Sequence, residues 1–171
     1  MELIDQLDKN ELIELLGKCW MTHDGMWFYC CFKEFGIEKA NKVNKAAMKA
    51  LAPVEIKRYL KILGIGKIEA FDDFKYFFSN AAELLMPDFM NIIMSFPEKN
   101  IIHWEFNKRN CWAYNGINML GVIDQYECGP LYRIECWLNN LKVKYDITPQ
   151  TDKCVIPTKG SCSGDIRLYL R

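Results

Sequence analysis

Between Leu12 and Cys31 apolar residues return every three or four positions, at Leu12, Leu15, Leu16, Cys19, Trp20, Trp27, Cys30 and Cys31, with His23 in the same series. That is the spacing of one helix face. Asp8 can cap the start, and Glu11, three residues on, completes a capping-box pattern. Gly36, after Phe35, is a natural C-terminal stop. Gly17 and Gly25 lie inside this stretch, where each weakens a helix by about 1 kcal/mol relative to Ala. Their presence predicts close packing there, by another helix or by a ligand. A second stripe, from Ala40 and Val43 through Met48, Leu51 and Ile56 to Leu63, predicts a helix over Glu38 to Leu63. Pro53 should kink or divide it, and Gly64 and Gly66 end it. Phe71, Phe74, Phe77, Phe78, Ala81, Ala82 and Leu85 predict a third helix over Ile68 to Leu85, closed by Pro87.

From Phe89 the period changes to two. Met90, Ile92, Met94 and Phe96 alternate with their neighbours, Pro97 to Asn100 reads as a turn, and Ile102, Trp104 and Phe106 alternate again. This is a β-hairpin pattern. Cys111 to Tyr114 reads as a third strand. Gly129-Pro130 opens a helix, because proline suits the first turn, and Leu131, Ile134, Trp137, Leu138 and Leu141 form its apolar face. Strands follow at Val143, Tyr145 and Ile147, and at Ile166, Leu168 and Leu170. The expectation is an α+β fold: a helical layer of about three helices packed on a mostly antiparallel sheet that carries one further helix. A single domain over 1–171 is expected, helical over 1–87 and mainly β over 88–171.

Composition narrows the function classes. Half of the 171 residues are apolar, ample for a core. Lys+Arg and Asp+Glu balance at 22 each, without the basic excess or basic face of a nucleic-acid binder. No charge-free apolar run approaches the roughly 20 residues of a membrane span. Met1 to Asp5 lacks the start of a signal peptide, so a cytoplasmic location is expected. Eight cysteines in a chain this long, with adjacent Cys30 and Cys31 in a helix, read as reduced thiols rather than as a disulfide scaffold.

The segment Trp20-Met21-Thr22-His23-Asp24-Gly25-Met26-Trp27 stands out, with one of two histidines, a neighbouring carboxylate and two of five tryptophans. His23 shares a helix face with Trp20, Cys19 and Trp27, whereas Asp24 lies about 100° round. A second helix would have to complete a site, and Glu55 beside Pro53 is the obvious donor, with Asn44 and Asn41 a few turns earlier. In the functional reading His23 is a general base or ligand, Asp24 or Glu55 its carboxylate partner, and the indoles apolar walls. In the plain reading His23 is a core histidine, Asp24 is solvated and the indoles pack. Likewise Arg58 either grips a substrate carboxylate through its fork or pairs with Glu55 on a charged helix face.

Cys128, Cys136, Cys154 and Cys162 lack the close pairs of zinc motifs. Cys128, Cys154 and Cys162 could still meet at the start of the predicted helix and hold zinc, or they are buried thiols. Lys159 to Asp165 is not a phosphate loop, since no Gly-Lys-Ser/Thr occurs and no helix follows. His103 alternates away from Trp104, facing outward or into an interlayer cleft shared with His23.

The segments Trp20 to Phe28, Glu34 to Ala40, Glu55-Ile56-Lys57-Arg58, Glu127-Cys128 and Cys162-Ser163-Gly164-Asp165 together resemble a family of small cytosolic proteins from anaerobic bacteria and archaea, distantly similar to the aminothiazoline-carboxylate hydrolase family. The ending is also similar to vinyl-reductase-type ligand-binding domains, although Ile166 and Arg167 stand where those often carry another cysteine. The resemblance implies a small-molecule site and a hydrolase ancestor. The expectation is therefore a binding protein or hydrolase-like enzyme for a small organic ligand, carboxylated or aromatic. Trp20, Trp27, Trp104 and Trp112 would wall the pocket between the layers, with Arg58 and His103 beside them. The alternatives are a zinc-stapled or thiol-based sensor, and a homo-oligomer, a homodimer at its simplest, that associates through exposed aromatics.

Overall fold

A computed structural model describes residues 5–106 and 111–171. The element order is α1 (Lys9–Leu63), α2 (Phe71–Leu85), β1 (Ile92–Ser95), β2 (Ile101–Phe106), α3 (Trp112–Met119), α4 (Gly129–Asn140), β3 (Tyr145–Thr148), α5 (Ile156–Lys159) and β4 (Cys162–Leu168). The fold is α+β, with the long helices first and a four-stranded antiparallel sheet after them, in the order β1-β2-β4-β3.

α1 begins as its sequence dictates. The Asp8 carboxylate accepts from Glu11 N–H at 2.9 Å, and the Glu11 carboxylate accepts from Asp8 N–H at 2.9 Å, which satisfies two of the first-turn donors. The helix is two segments joined at Gly36, whose φ of 80° and ψ of 170° leave helical space, a backbone open to glycine at low cost. Pro53, by contrast, leaves the helix undivided. Its ring is exposed, and only one backbone bond is forfeited. Gly64 ends α1 at φ 68°, with its N–H reaching back into the last turn.

α2 starts three residues later than its apolar pattern suggests. Asp73 accepts from Ala70 N–H at 2.9 Å and from Glu69 N–H at 3.1 Å, so the cap fixes the first turn beyond Ile68. The predicted hairpin is present, Ile92 opposite Phe106 and Met94 opposite Trp104. The predicted strand at Cys111 to Tyr114 is instead the start of α3. Its aromatic residues mimic a strand, but the buried pair Ala113 and Ile117 is spaced for a helix face.

One face of the sheet, with Ile102, Trp104, Phe106, Ile147, Ile166 and Leu168, is buried in the core shared with α2 and α4. Trp104 fits because position 164 is glycine: a Cβ there would lie 2.5 Å from the Trp104 ring. The Gly164-Asp165 step is therefore a packing requirement of the sheet. Trp137 of α4 joins the layers, its ring 5.9 Å from Tyr59 of α1, 5.9 Å from Phe77 and 6.4 Å from Phe78 of α2.

The two glycines of the first helical segment differ. At Gly17 a Cβ would meet Phe89 and Pro87 at 3.2 Å, because the turn at Asp88–Met90 docks there and Phe89 N–H donates to Glu14 at 3.2 Å. At Gly25 nothing lies within 4 Å. Gly25→Ala is thus expected to raise stability by about 0.5–1 kcal/mol, read by urea unfolding, whereas Gly17→Ala should gain less or lose. Equal gains at both positions would contradict the close packing at Gly17.

Candidate functional site

Among the described residues the most connected polar side chain is Glu55, buried on the second segment of α1. A carboxylate in such a place must be paired, and its partners all come from α4. Arg133 donates to both of its oxygens, the Nε contact at 3.3 Å and the Nη contact short. Trp137 Nε1 donates at 2.9 Å. The expected surface pairing of Glu55 with Arg58 does not form: Arg58 is exposed, whereas the Glu55 carboxylate is buried and bonded to Arg133 and Trp137.

From the first segment of α1, Trp20 reaches the same place, with the Arg133 guanidinium over its ring at 4.9 Å from the centroid. This is the cation–π geometry. Asp24 is half-buried beside them. Burial pushes its carboxyl upward, against the pull of Arg133 and then of His23. Trp20, Asp24 and Glu55, three of the residues singled out in the sequence, therefore converge on Arg133, which the sequence reading missed. Its only signal was its place one helical turn before Trp137 in an apolar helix.

Next to this cluster is an apolar cavity of about 60 Å³ between the helical layer and the sheet. Met21, Leu85, Met86, Met90, Ile92, Phe106, Trp112, Pro130 and Ile134 line it, and Arg133 and Trp137 form the wall shared with Glu55. Trp112 is thus a wall residue. Trp104 lies fully buried in the core, its side chain beside the Cys162 thiol.

His23 and Trp27 lie elsewhere. Both are exposed, edge to face at 6.5 Å, on the side of α1 turned away from the cavity. His103 is on the outer face of the sheet, its Nδ1 2.7 Å from Asp165, so a cleft shared with His23 does not exist. Ser95 stands opposite His103 on β1, which puts Asp165, His103 and Ser95 in one cross-strand row, but no hydrogen bond joins Ser95 to the imidazole.

Cys128, Cys154 and Cys162 do come together with Cys111, around a second cavity of about 10 Å³. Burial raises all four thiols, Cys111 to about 11. At Cys128, the N-cap of α4, this outweighs the hydrogen bond from Leu131 N–H that favours the thiolate. Among the described residues no three His, Cys, Asp or Glu side chains can hold a metal ion together, and all eight cysteines are free thiols.

Two outcomes follow for the Glu55 cluster. Glu55→Ala should cost about 3–5 kcal/mol by stranding Arg133, whereas Glu55→Leu with Arg133→Leu should recover most of the loss, apart from about 1–3 kcal/mol for the orphaned Trp137 N–H. Urea unfolding checks both. A raised Asp24 carboxyl means that the folded chain keeps its proton to higher pH than the unfolded one. Stability then falls as pH rises from the ordinary value of 3.8 through the folded value, and the penalty persists at neutral pH. Asp24→Asn should therefore raise the melting temperature at pH 7 and leave it unchanged below pH 3.8, as a thermal melt series across pH would read.

No helix among the described residues is long and apolar enough to cross a membrane. No curated protein and no solved structure matches the chain. One family description, "Family of unknown function (DUF6125)", matches residues 5–102, a span covering α1, α2, β1 and the start of β2. The chain belongs to that family.

Proposed function

We propose that this protein binds a small, uncharged apolar molecule, an aromatic ring or short hydrocarbon, in the cavity between its helical layer and its sheet. The observation that carries this reading is the lining itself: two tryptophans, a phenylalanine, three methionines and one guanidinium already neutralised by Glu55. Concave apolar walls with few polar groups are the usual form of a small-molecule site. The volume, about 60 Å³, is below the roughly 150 Å³ of an engineered cavity that admits benzene. Methionine side chains adapt easily, however, and Met21, Met86 and Met90 supply the adjustment.

The charges select among ligands. Among the described residues Arg133 is matched by Glu55, and Asp24 adds a further acidic group, so an incoming carboxylate would meet an excess of negative charge from them. An uncharged ligand meets none. This favours the aromatic over the carboxylated alternative. The resemblance of the C-terminal segment to ligand-binding domains is in keeping with the reading. The hydrolase-like alternative finds less support, because Glu55 is committed to Arg133 and Trp137, and His23 lies on the outer side of α1.

Titration with toluene, with benzoate and benzylamine as charged comparators, tests the proposal. Toluene should change the indole emission saturably, since Trp112 and Trp137 line the site, and benzoate should not. Ile134→Phe, which fills the cavity, should abolish the response while retaining the cooperative melt. A toluene response equal in the wild type and Ile134→Phe, or none in the wild type, overturns the reading.

A further inference from the structure

The first segment of α1 carries a second apolar surface that the fold leaves uncovered. Leu12, Leu15, Cys19, Thr22, Met26 and Tyr29 follow one another at spacings of three and four residues, the a and d positions of a heptad seam. On the helix wheel this seam is centred roughly 130° from Met21, the one residue of the segment that is buried against the body. It therefore points outward. Leu15 is 44% exposed, Met26 56% and Tyr29 37%, and beside them Leu16 is 59% and Trp27 61% exposed.

We propose that this seam pairs, antiparallel, with the same seam of a second copy of the chain. Three observations favour that occupant. The first is area. Leu15, Met26 and Tyr29 with the flanking Leu16 present on the order of 400 Å² of apolar surface, within the range of the largest patch of a typical monomer, and with polar neighbours a helix pair approaches the ~800 Å² per partner of a standard interface. The second is self-complementarity. In an antiparallel pair Leu12 faces the other copy's Tyr29, Leu15 its Met26, and Cys19 its Thr22, so large layers flank a small one at the dyad, as an isologous contact requires.

The third is charge. One heptad position beyond Tyr29 stands Lys33, exposed and without an ion pair among the described residues. The antiparallel register carries it to the helix start of the other copy, where the carboxylates of Asp8 and Glu11 are exposed and opposite in sign. A parallel pair would instead set Lys33 against Lys33. With 22 acidic and 22 basic residues, the chain also has no net charge to hold copies apart.

Sedimentation equilibrium at tens of micromolar tests the pairing. The wild type should be dimeric. Leu15→Glu should weaken dimerisation by roughly a hundredfold or more, because a charge is buried against Met26 of the other copy. Its far-ultraviolet spectrum and melt should otherwise persist, since position 15 is exposed in the single chain. Leu15→Glu with Met26→Lys should restore the dimer in the antiparallel register, where the two introduced charges, opposite in sign, face one another across the seam. A monomeric wild type overturns the proposal. So does a dimer indifferent to Leu15→Glu, which would associate through another face. Failure of the double variant to recover overturns the antiparallel register.

Discussion

A carboxylate in a protein interior must be answered, and here it is answered entirely by one other helix. Glu55 comes from α1, and Arg133 and Trp137, one turn apart on α4, donate to it. The arrangement fixes the relative height and rotation of the two helices more tightly than aliphatic packing would, because a slip of one residue on either strands a charge. Apolar contacts could tolerate such a slip at small cost. The same helix pair is held at its other end by Asn41, whose amide donates to Gln125 C=O at 2.8 Å and whose oxygen accepts from Glu127 N–H at 3.3 Å. Between these polar clamps, Gly129 lets α4 begin in close contact with Met48 and Asn44.

Once α4 is set, the rest takes position around Trp137. Its N–H is used by Glu55, and its ring packs at an angle against Tyr59, Phe77 and Phe78. That brings α2 over the sheet. The apolar cavity is what remains where the ends of α2, β1 and α3 fall short of α4. Among the described residues its one charged wall residue, Arg133, is already paired with Glu55, which suits the site to an uncharged guest.

Much of this was legible. The caps at Asp8 and Glu11, the break at Gly36, the stop at Gly64 and the hairpin from Ile92 to Phe106 follow from local rules that tertiary structure did not override. What misled was local ambiguity. Cys111 to Tyr114 is short enough for aromatic content to suggest a strand, and Pro53 on an exposed surface breaks less than its chemistry threatens. The site was half legible. An unusual concentration of Trp, His and Asp singled out Trp20 to Trp27 as a candidate site, but single-helix geometry could not say which side each residue takes. Met21 turns into the core and Trp20 and Asp24 toward Arg133 of α4, while His23 and Trp27 turn out. Arg133 was illegible because its importance lies in a partner 78 residues away in sequence.

The division of that segment explains its composition. A helix that contacts the body along one face needs apolar residues on that face only. The first segment of α1 has them all round, with Met21 inside and Leu15, Leu16, Met26 and Trp27 outside. Core packing accounts for the first of these and not for the rest. The inner face is sparse: Met21 is its sole buried residue, Gly17 gives up a side chain to admit Phe89, and the cavity lies directly beneath. A helix so lightly held from within, and so apolar without, gains order from whatever covers its outer side, and the wall that Met21 lends to the cavity gains order with it.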